Sequence, residues 1–331
     1  MITVSDLSFF RFLTLKPPFH MIENTIPWDR HYPEGISYRL DTPSQNSLVD
    51  LMEKSFADYA SLPALDCLET SISYRELDQR SRDFAAYLQQ YLGLAAGTRI
   101  AIQLPTLLQY PIAMLGALRA GMIVVNVAPQ CTSDELKQLL VDSGAEAIVI
   151  LANFAHQLEA ILPETSIRHI VVTQLGDQLR TWQKWIVNAT VKYGKKLIPA
   201  YRLPTAVPFG RALRRGSWQF FQSVPVKADT IAFLNYTDGT TGVNIATVLT
   251  HADVVAGIEQ FSSRFPLGLK SARALENMSM PPTNAYAQAF NCLMVMKFGG
   301  RNVLVPKPGD TASLIRLLKA YNPKTGTEPA F

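Results

Sequence analysis

Arg99-Ile100-Ala101-Ile102-Gln103-Leu104 and Met122-Ile123-Val124-Val125-Asn126-Val127 are two short aliphatic runs. Between them lies Gln109 to Ala120, long enough for three helical turns and closed by Gly121. Both runs are rich in Ile and Val and lack the in–out alternation of a strand with one wet face. Such a strand is buried on both sides, the signature of a parallel sheet covered by helices. Strand, helix and strand in about thirty residues make one βαβ unit, whose crossover is right-handed.

The rhythm continues downstream. Ser133 to Ser143 is predicted as a helix, with Thr132 and Glu135 spaced as a capping box and Gly144 as the stop. Glu146 to Leu151 is a strand, Phe154 to Leu162 a helix and His169 to Thr173 a strand. Upstream, Ser47 to Tyr59 reads as a helix and Ile72 to Tyr74 as a short strand. Leu77, Phe84, Leu88 and Leu92 recur at helical spacing before Gly93. Farther on, Ile231 to Leu234 and Thr247 to Thr250 are strands and Asp253 to Phe261 a helix. Ala287 to Phe298 is a helix, Asn302 to Val305 a strand and Thr311 to Tyr321 a helix. The expected class is α/β, mainly parallel sheets flanked by helices.

A chain of 331 residues with 48% hydrophobic and 18% charged residues has room for a sizeable core, which excludes a disordered chain. Its net charge of +4 is too mild to imply nucleic acid as a partner. Cys67, Cys131 and Cys292 lie far apart without metal-ligand spacing, as expected of reduced thiols in a cytoplasmic protein. The apolar stretch Tyr110 to Val127 carries Arg119 and breaks at Gly121, so it reads as helix then strand and not as a membrane span. The first twenty residues are not expected to form a signal peptide, and Met21 offers an alternative start.

Residues 180–218 interrupt the rhythm with Trp182, Trp185 and Trp218 among Lys192, Lys195, Lys196, Arg202, Arg211, Arg214 and Arg215. Trp182, Trp185, Ile186, Ala189 and Tyr193 fall on one side of a helix. That side either packs on the core or sits on an anionic membrane.

The remaining signal is Tyr236-Thr237-Asp238-Gly239-Thr240-Thr241-Gly242-Val243-Asn244-Ile245-Ala246. Polyphosphate binding calls for backbone N–H donors, hydroxyls and usually a lysine. Thr237, Gly239, Thr240, Thr241 and Gly242 supply hydroxyls and close backbone approach; the lysine is missing and Asp238 adds an acid. With the Val248-Leu249-Thr250-His251 that follows, the stretch resembles the AMP-binding signature of the adenylate-forming superfamily. Tyr74-Arg75-Glu76-Leu77, Leu118-Arg119-Ala120-Gly121, Asp142-Ser143-Gly144-Ala145, Asn153-Phe154-Ala155-His156 and Asn291-Cys292-Leu293 resemble the bacterial long-chain fatty-acid–CoA ligases. The resemblance runs from about Ser47 to Tyr321.

What the resemblance implies is the N-terminal part of the adenylate-forming ligase fold, with residues 1–46 as an N-terminal extension and 47–321 as a partial AMP-binding domain. The basic tryptophan segment 180–218 is an insertion in it, and 322–331 is a tail that no longer resembles the family. The implied activity is fatty-acid activation: an acyl-adenylate formed from ATP with Mg²⁺, then a thioester with coenzyme A. Thr237, Gly239, Thr240, Thr241 and Gly242 are the implied phosphate contacts; no residue is assigned as catalytic or as a metal ligand. The implied location is cytoplasmic and peripheral on the inner membrane face. Asp238 stands where the family has glycine, Ile245 where it has lysine and Ala246 where it has glycine. Cys131 replaces a tyrosine, and Asn284 falls where a histidine is expected. The family's metal motif and mobile C-terminal domain have no counterpart here. The expectation is therefore a truncated, degenerate member with little activity alone, a non-catalytic module that binds a membrane or a paralogue, or an unstable pseudogene product.

Overall fold

Three capping boxes set the starts of helices around the first sheet strands. Ser47 caps α1 (Leu48–Asp58) with Asp50 reaching back, Ser73 caps α2 (Tyr74–Ala86) with Glu76, and Thr132 caps α4 (Ser133–Ser143) with Glu135. Gly144 ends α4 at φ 59°, a left-handed conformation that a side chain would strain. The computed structural model describes residues 47–179, 181–194, 197–238, 244–263, 276–279 and 285–306, all of them within one compact unit.

Between α1 and α2 lie β1 (Pro63–Cys67) and β2 (Thr70–Ser73), and a π-helical turn, Tyr87–Tyr91, continues α2. The βαβ rhythm follows: β3 (Arg99–Gln103), α3 (Gln109–Arg119), β4 (Ile123–Asn126), α4, β5 (Ala147–Leu151), α5 (Ala155–Ile161) and β6 (His169–Thr173). Next come α6 (Thr181–Ala189), β7 (Val207–Pro208), α7 (Phe209–Gly216), β8 (Ile231–Asp238), β9 (Asn244–Thr250) and α8 (His251–Ser263). β10 (Glu276–Ser279), α9 (Ala285–Lys297) and β11 (Arg301–Leu304) complete the described elements. The helix expected at Thr311 to Tyr321 lies outside the described residues.

Among the described residues the main sheet has the order β7-β6-β5-β3-β4-β8-β9, parallel except for the β8–β9 pair. Alternate strand residues enter two separate cores. Ile100, Ile102, Val124, Val149 and Phe233 join one; Ala101, Val125, Ile148, Ile150 and Leu234 join the other. The sheet is thus buried on both faces, as the Ile/Val runs require. Every residue of α3 is buried, including Arg119. A second sheet, β10-β11-β1-β2, joins chain segments far apart: β1 pairs in parallel with β11, Leu65 opposite Asn302.

Residues 180–218 divide into two structurally different parts. β7 extends the main sheet along β6. α7 buries Phe209, Ala212, Leu213 and Gly216, with the Phe209 ring 5.3 Å from that of Phe84 on α2. The first part behaves otherwise. α6 turns Gln183 and Asn188 toward the body, where Thr70 Oγ1 donates to Gln183 Oε1 (2.9 Å) and Asn188 accepts from the Gly176 backbone N–H (2.8 Å). Trp182, Trp185, Ile186 and Ala189 face outward. Packing of that apolar side on the core, one of the two sequence expectations, is therefore not what the structure has.

Candidate functional site

β3, β4, β5, β6 and β8 all end at the same edge of the main sheet, because they are mutually parallel. From β3 the chain crosses to β4 on one side, and from the adjacent β5 it crosses to β6 on the other. In open α/β sheets, ligands bind at the carboxyl edge beside such a reversal.

The ribbon of β8 and β9 overhangs this edge. β4 accompanies β8 only as far as Asn126 opposite Asn235. Tyr236, Thr237 and Asp238 continue beyond it, paired with Ala246, Ile245 and Asn244 of β9. The strand therefore runs farther into the hydroxyl- and glycine-rich stretch than the expected end at Leu234, and β9 begins earlier than Thr247. Cross-strand hydrogen bonding extends both, which local composition does not report. Of the candidate phosphate contacts, Thr237 lies in β8. Gly239, Thr240, Thr241 and Gly242 lie outside the described residues, as does Asn284. The register puts Ile245 directly opposite Thr237 and Asp238 at the last paired position before residues 239–243.

The root of the ribbon is fixed by polar contacts that the sequence reading did not single out. Tyr110 of α3 donates its hydroxyl to Asn126 Oδ1 (2.8 Å), and Asn126 donates to Asn235 Oδ1 (3.0 Å). The Tyr236 hydroxyl donates to Asp142 Oδ2 on α4 (2.6 Å). Burial and then the Asp142 carboxylate push the Tyr236 phenol above its ordinary range, so it stays a donor. A signal for this layer was present: the apolar strands β3, β4 and β8 each carry one amide at the carboxyl edge, Gln103, Asn126 and Asn235.

Several polar atoms at this edge are buried and have no hydrogen-bond partner among the described residues: Gln103 Oε1, Thr106 Oγ1 and Asn235 Nδ2. An orphaned buried polar atom costs about 1–3 kcal/mol, and such atoms also occur away from this edge, at His156, Gln157 and His251. Cys131 Sγ accepts from Gln103 Nε2 at 3.4 Å. Burial, aided by Glu135, pushes its thiol up to about 12, which keeps it a neutral, weak hydrogen-bond partner. Among the described residues no group of three His, Cys, Asp or Glu side chains is placed to hold a metal ion.

His251 matches the signature in sequence but sits elsewhere. β9 is antiparallel to β8, so Thr250 lies opposite Ile231, at the amino edge of the sheet. His251 is therefore a strand length, roughly 20 Å, from the overhanging end. Thr250 caps α8, in a reciprocal pair with Asp253.

The AMP-binding enzyme family model matches residues 52–327 of this chain. The long-chain-fatty-acid–CoA ligase of Escherichia coli O6:H1 is 42% identical over 294 residues, which is 89% of this chain and 52% of that protein. The ligase of the same name from Haemophilus influenzae is 38% identical over 297 residues, covering 89% and 53%. The chain thus spans about half the length of the curated relatives it matches. Among solved structures, a long-chain-fatty-acid–CoA ligase from Archaeoglobus fulgidus superposes with a TM-score of 0.68 at 19% identity, over 88% of this chain and 54% of that one. An anthranilate CoA ligase in complex with anthranoyl-AMP superposes at 0.68 and 16% identity, over 86% and 50%. These last two establish the fold; the family-model match carries the classification. With its parallel sheet, overhanging ribbon and signature stretch in the matched region, this chain belongs to the AMP-binding enzyme family.

Proposed function

We propose that residues 47–321 form the segment of a long-chain fatty-acid–CoA ligase that carries the phosphate-binding stretch, with residues 1–46 preceding it. In this reading the fatty-acid carboxylate attacks the α-phosphorus of ATP. A carboxyl–phosphoryl bond forms and pyrophosphate leaves. The coenzyme A thiol then takes the acyl group and AMP departs. Thr237, Gly239, Thr240, Thr241 and Gly242 would hold phosphate oxygens through hydroxyls and backbone N–H groups. Mg²⁺ would offset phosphate charge; no described cluster is assigned to it. The observation that carries the reading is the β8–β9 ribbon, which overhangs the carboxyl edge and leads into these residues. The reading includes a cytoplasmic chain that meets its substrate at the inner membrane face.

Asp238 and Ile245 weaken nucleotide binding in this reading. One charge ~4 Å from a phosphate changes the interaction by roughly 4 kcal/mol at an effective dielectric of about 20, and screening reduces it to on the order of 1–2 kcal/mol. An added acid and a lost cation act in the same direction. Adenylate formation by this chain is expected to be slow or undetectable as a result.

The test is calorimetric titration of the purified chain with ATP and Mg²⁺, beside an assay of thioester formation from palmitate and coenzyme A. Asp238→Gly combined with Ile245→Lys should tighten ATP binding by about tenfold or more. Unchanged affinity in that variant would remove the stretch from the nucleotide site. Thioester formation at the rate of the full-length relatives would contradict the weakened reading.

A further inference from the structure

We infer that the outer edge of β9 is a docking surface for a second copy of this chain, which pairs with it antiparallel and joins two main sheets into one. This pairing is independent of the ligase reading.

β9 closes one end of the main sheet. β8 occupies one of its sides, and no described strand pairs with the other. A free edge presents a row of backbone N–H and C=O groups, which folded proteins blunt with short strands, proline, bulges or charge. The other described edges follow that rule. β7 is two residues long and ends in Pro208, while β2 and β10 are four residues each. β9 runs for seven residues, Asn244–Thr250. The one register irregularity of the ribbon lies between Ile231 and Phe233 of β8, which leaves Asn244 to Leu249 regularly paired. From Gly239 to Ala252 the chain has no Asp, Glu, Lys, Arg or Pro. Ala246, Thr247 and Val248 are exposed, Val248 at 52%. Of the four described edges, this one alone is long, regular and uncharged.

The strand's own sequence selects the occupant. Antiparallel pairing about a two-fold axis at Thr247 overlaps all seven residues of the two copies. It sets Ala246 of one copy opposite Val248 of the other, Ile245 opposite Leu249 and Thr247 opposite its own counterpart. Apolar pairs and Thr–Thr pairs of this kind stabilise neighbouring strands. Each copy carries +4, and an edge without formal charge lets the two meet with no like charges opposed. A strongly acidic or basic partner would find no complementary charge on this strand. Seven residues at about 3.4 Å each give an edge of about 24 Å. Contact along it falls in the small class of interfaces, under about 1,200 Å², so pairing is concentration-dependent and not obligate.

The experiment is analytical ultracentrifugation of the full chain over about a hundredfold range of concentration, the range a small interface calls for, with hydrogen exchange read at both ends of it. The variants are Thr247→Lys and Thr247→Glu, each alone and then mixed in equal amounts. Thr247 is exposed, so neither change removes core packing. The parent is expected to pass from monomer to dimer, with protection of the β9 amides rising as it does. Each variant alone should dimerise about tenfold or more weakly, because like charges then face each other across the two-fold axis, and the mixture should recover the dimer. A strand that had merely lost its fold would not be rescued by mixing. A parent that stays monomeric at every concentration overturns the proposal, as does a dimer whose β9 amides gain no protection. Dimers that persist in both single variants place the interface elsewhere, and association beyond two copies shows an open-ended contact; either overturns it, as does a mixture that fails to recover the dimer.

Discussion

Replacing Arg119 by methionine should destabilise the fold by about 2–3 kcal/mol, because this guanidinium is 3% exposed and committed on every side. Nη2 lies 2.5 Å from Asp78 Oδ1 and 2.9 Å from Glu53 Oε1, while Nη1 donates to the Asp78 carbonyl at 2.9 Å and to Ser81 Oγ at 2.6 Å. The guanidinium carbon sits 4.5 Å from the centre of the Phe56 ring. Truncating one member of a buried pair typically costs about 3–5 kcal/mol, chiefly through the charge left behind. Here that charge is partly relieved. Asp78 and Glu53 are 27% and 34% exposed, and each keeps Arg82 at 2.9 and 2.8 Å. The remaining loss is two charge-assisted hydrogen bonds and one cation–π contact, each about 1 kcal/mol, less what the apolar methionine regains by burial. Urea unfolding followed by circular dichroism reads the effect as a lower midpoint at constant slope. Repeating the substitution in an Asp78→Asn background should reduce the loss by about 1 kcal/mol, since the two residues share one network. A neutral or stabilising outcome would refute the reasoning: the desolvation of Arg119 would then equal everything its partners return.

His251 should make stability depend on acid. Burial holds its imidazole down at about 4, against an ordinary 6.5, with Asp50 opposing in part. The folded chain therefore keeps His251 neutral while the unfolded chain takes up a proton. The contribution is complete above about 6.5 and is lost as pH falls toward 4, up to ~3 kcal/mol in all. His251→Leu should flatten the melting temperature across that window, and an unaltered slope would count against it. Gly216→Ala should cost more than about 3 kcal/mol, because the new Cβ would meet the Asp83 carbonyl oxygen at 1.7 Å and force α7 off α2. An unchanged thermal midpoint would mean that α7 is not packed there. Thr132→Ala should lower the urea midpoint by the equivalent of about 1 kcal/mol through loss of the reciprocal cap on α4; no shift would show that water replaces it.

The stretch from Arg99 to Thr173 was legible because its information is local. Aliphatic runs, capping boxes and glycine stops lie within a few residues of the elements they define, and the observed bounds differ by a residue or two. β1 was missed for the opposite reason. Pro63-Ala64-Leu65-Asp66-Cys67 has no strand pattern of its own and takes its register from two partners, β2 across a short turn and β11 more than two hundred residues away in sequence. The candidate site was legible as residue types, Thr237 to Gly242, and not as a place. That Thr237 lies beyond the carboxyl edge of β4 follows from β8 lying beside β4, and the Tyr110–Asn126–Asn235 contacts come from three separate elements.

Sequence alone determined the α/β class and the residue types of the signature stretch, including the acid at Asp238 and the apolar side chain at Ile245. Those follow from side-chain type and spacing, which need no partner. Two further points were decided only by tertiary structure. Residues 180–218 are half structural, since α7 packs its apolar stripe on α2, and half outward-facing, since α6 docks by Gln183 and Asn188. Periodicity identifies an apolar side of a helix but not which side turns inward. That depends on whether the body offers hydrogen-bond partners or apolar surface at the point of contact, and here it offers Thr70, Gly176 and Asp177.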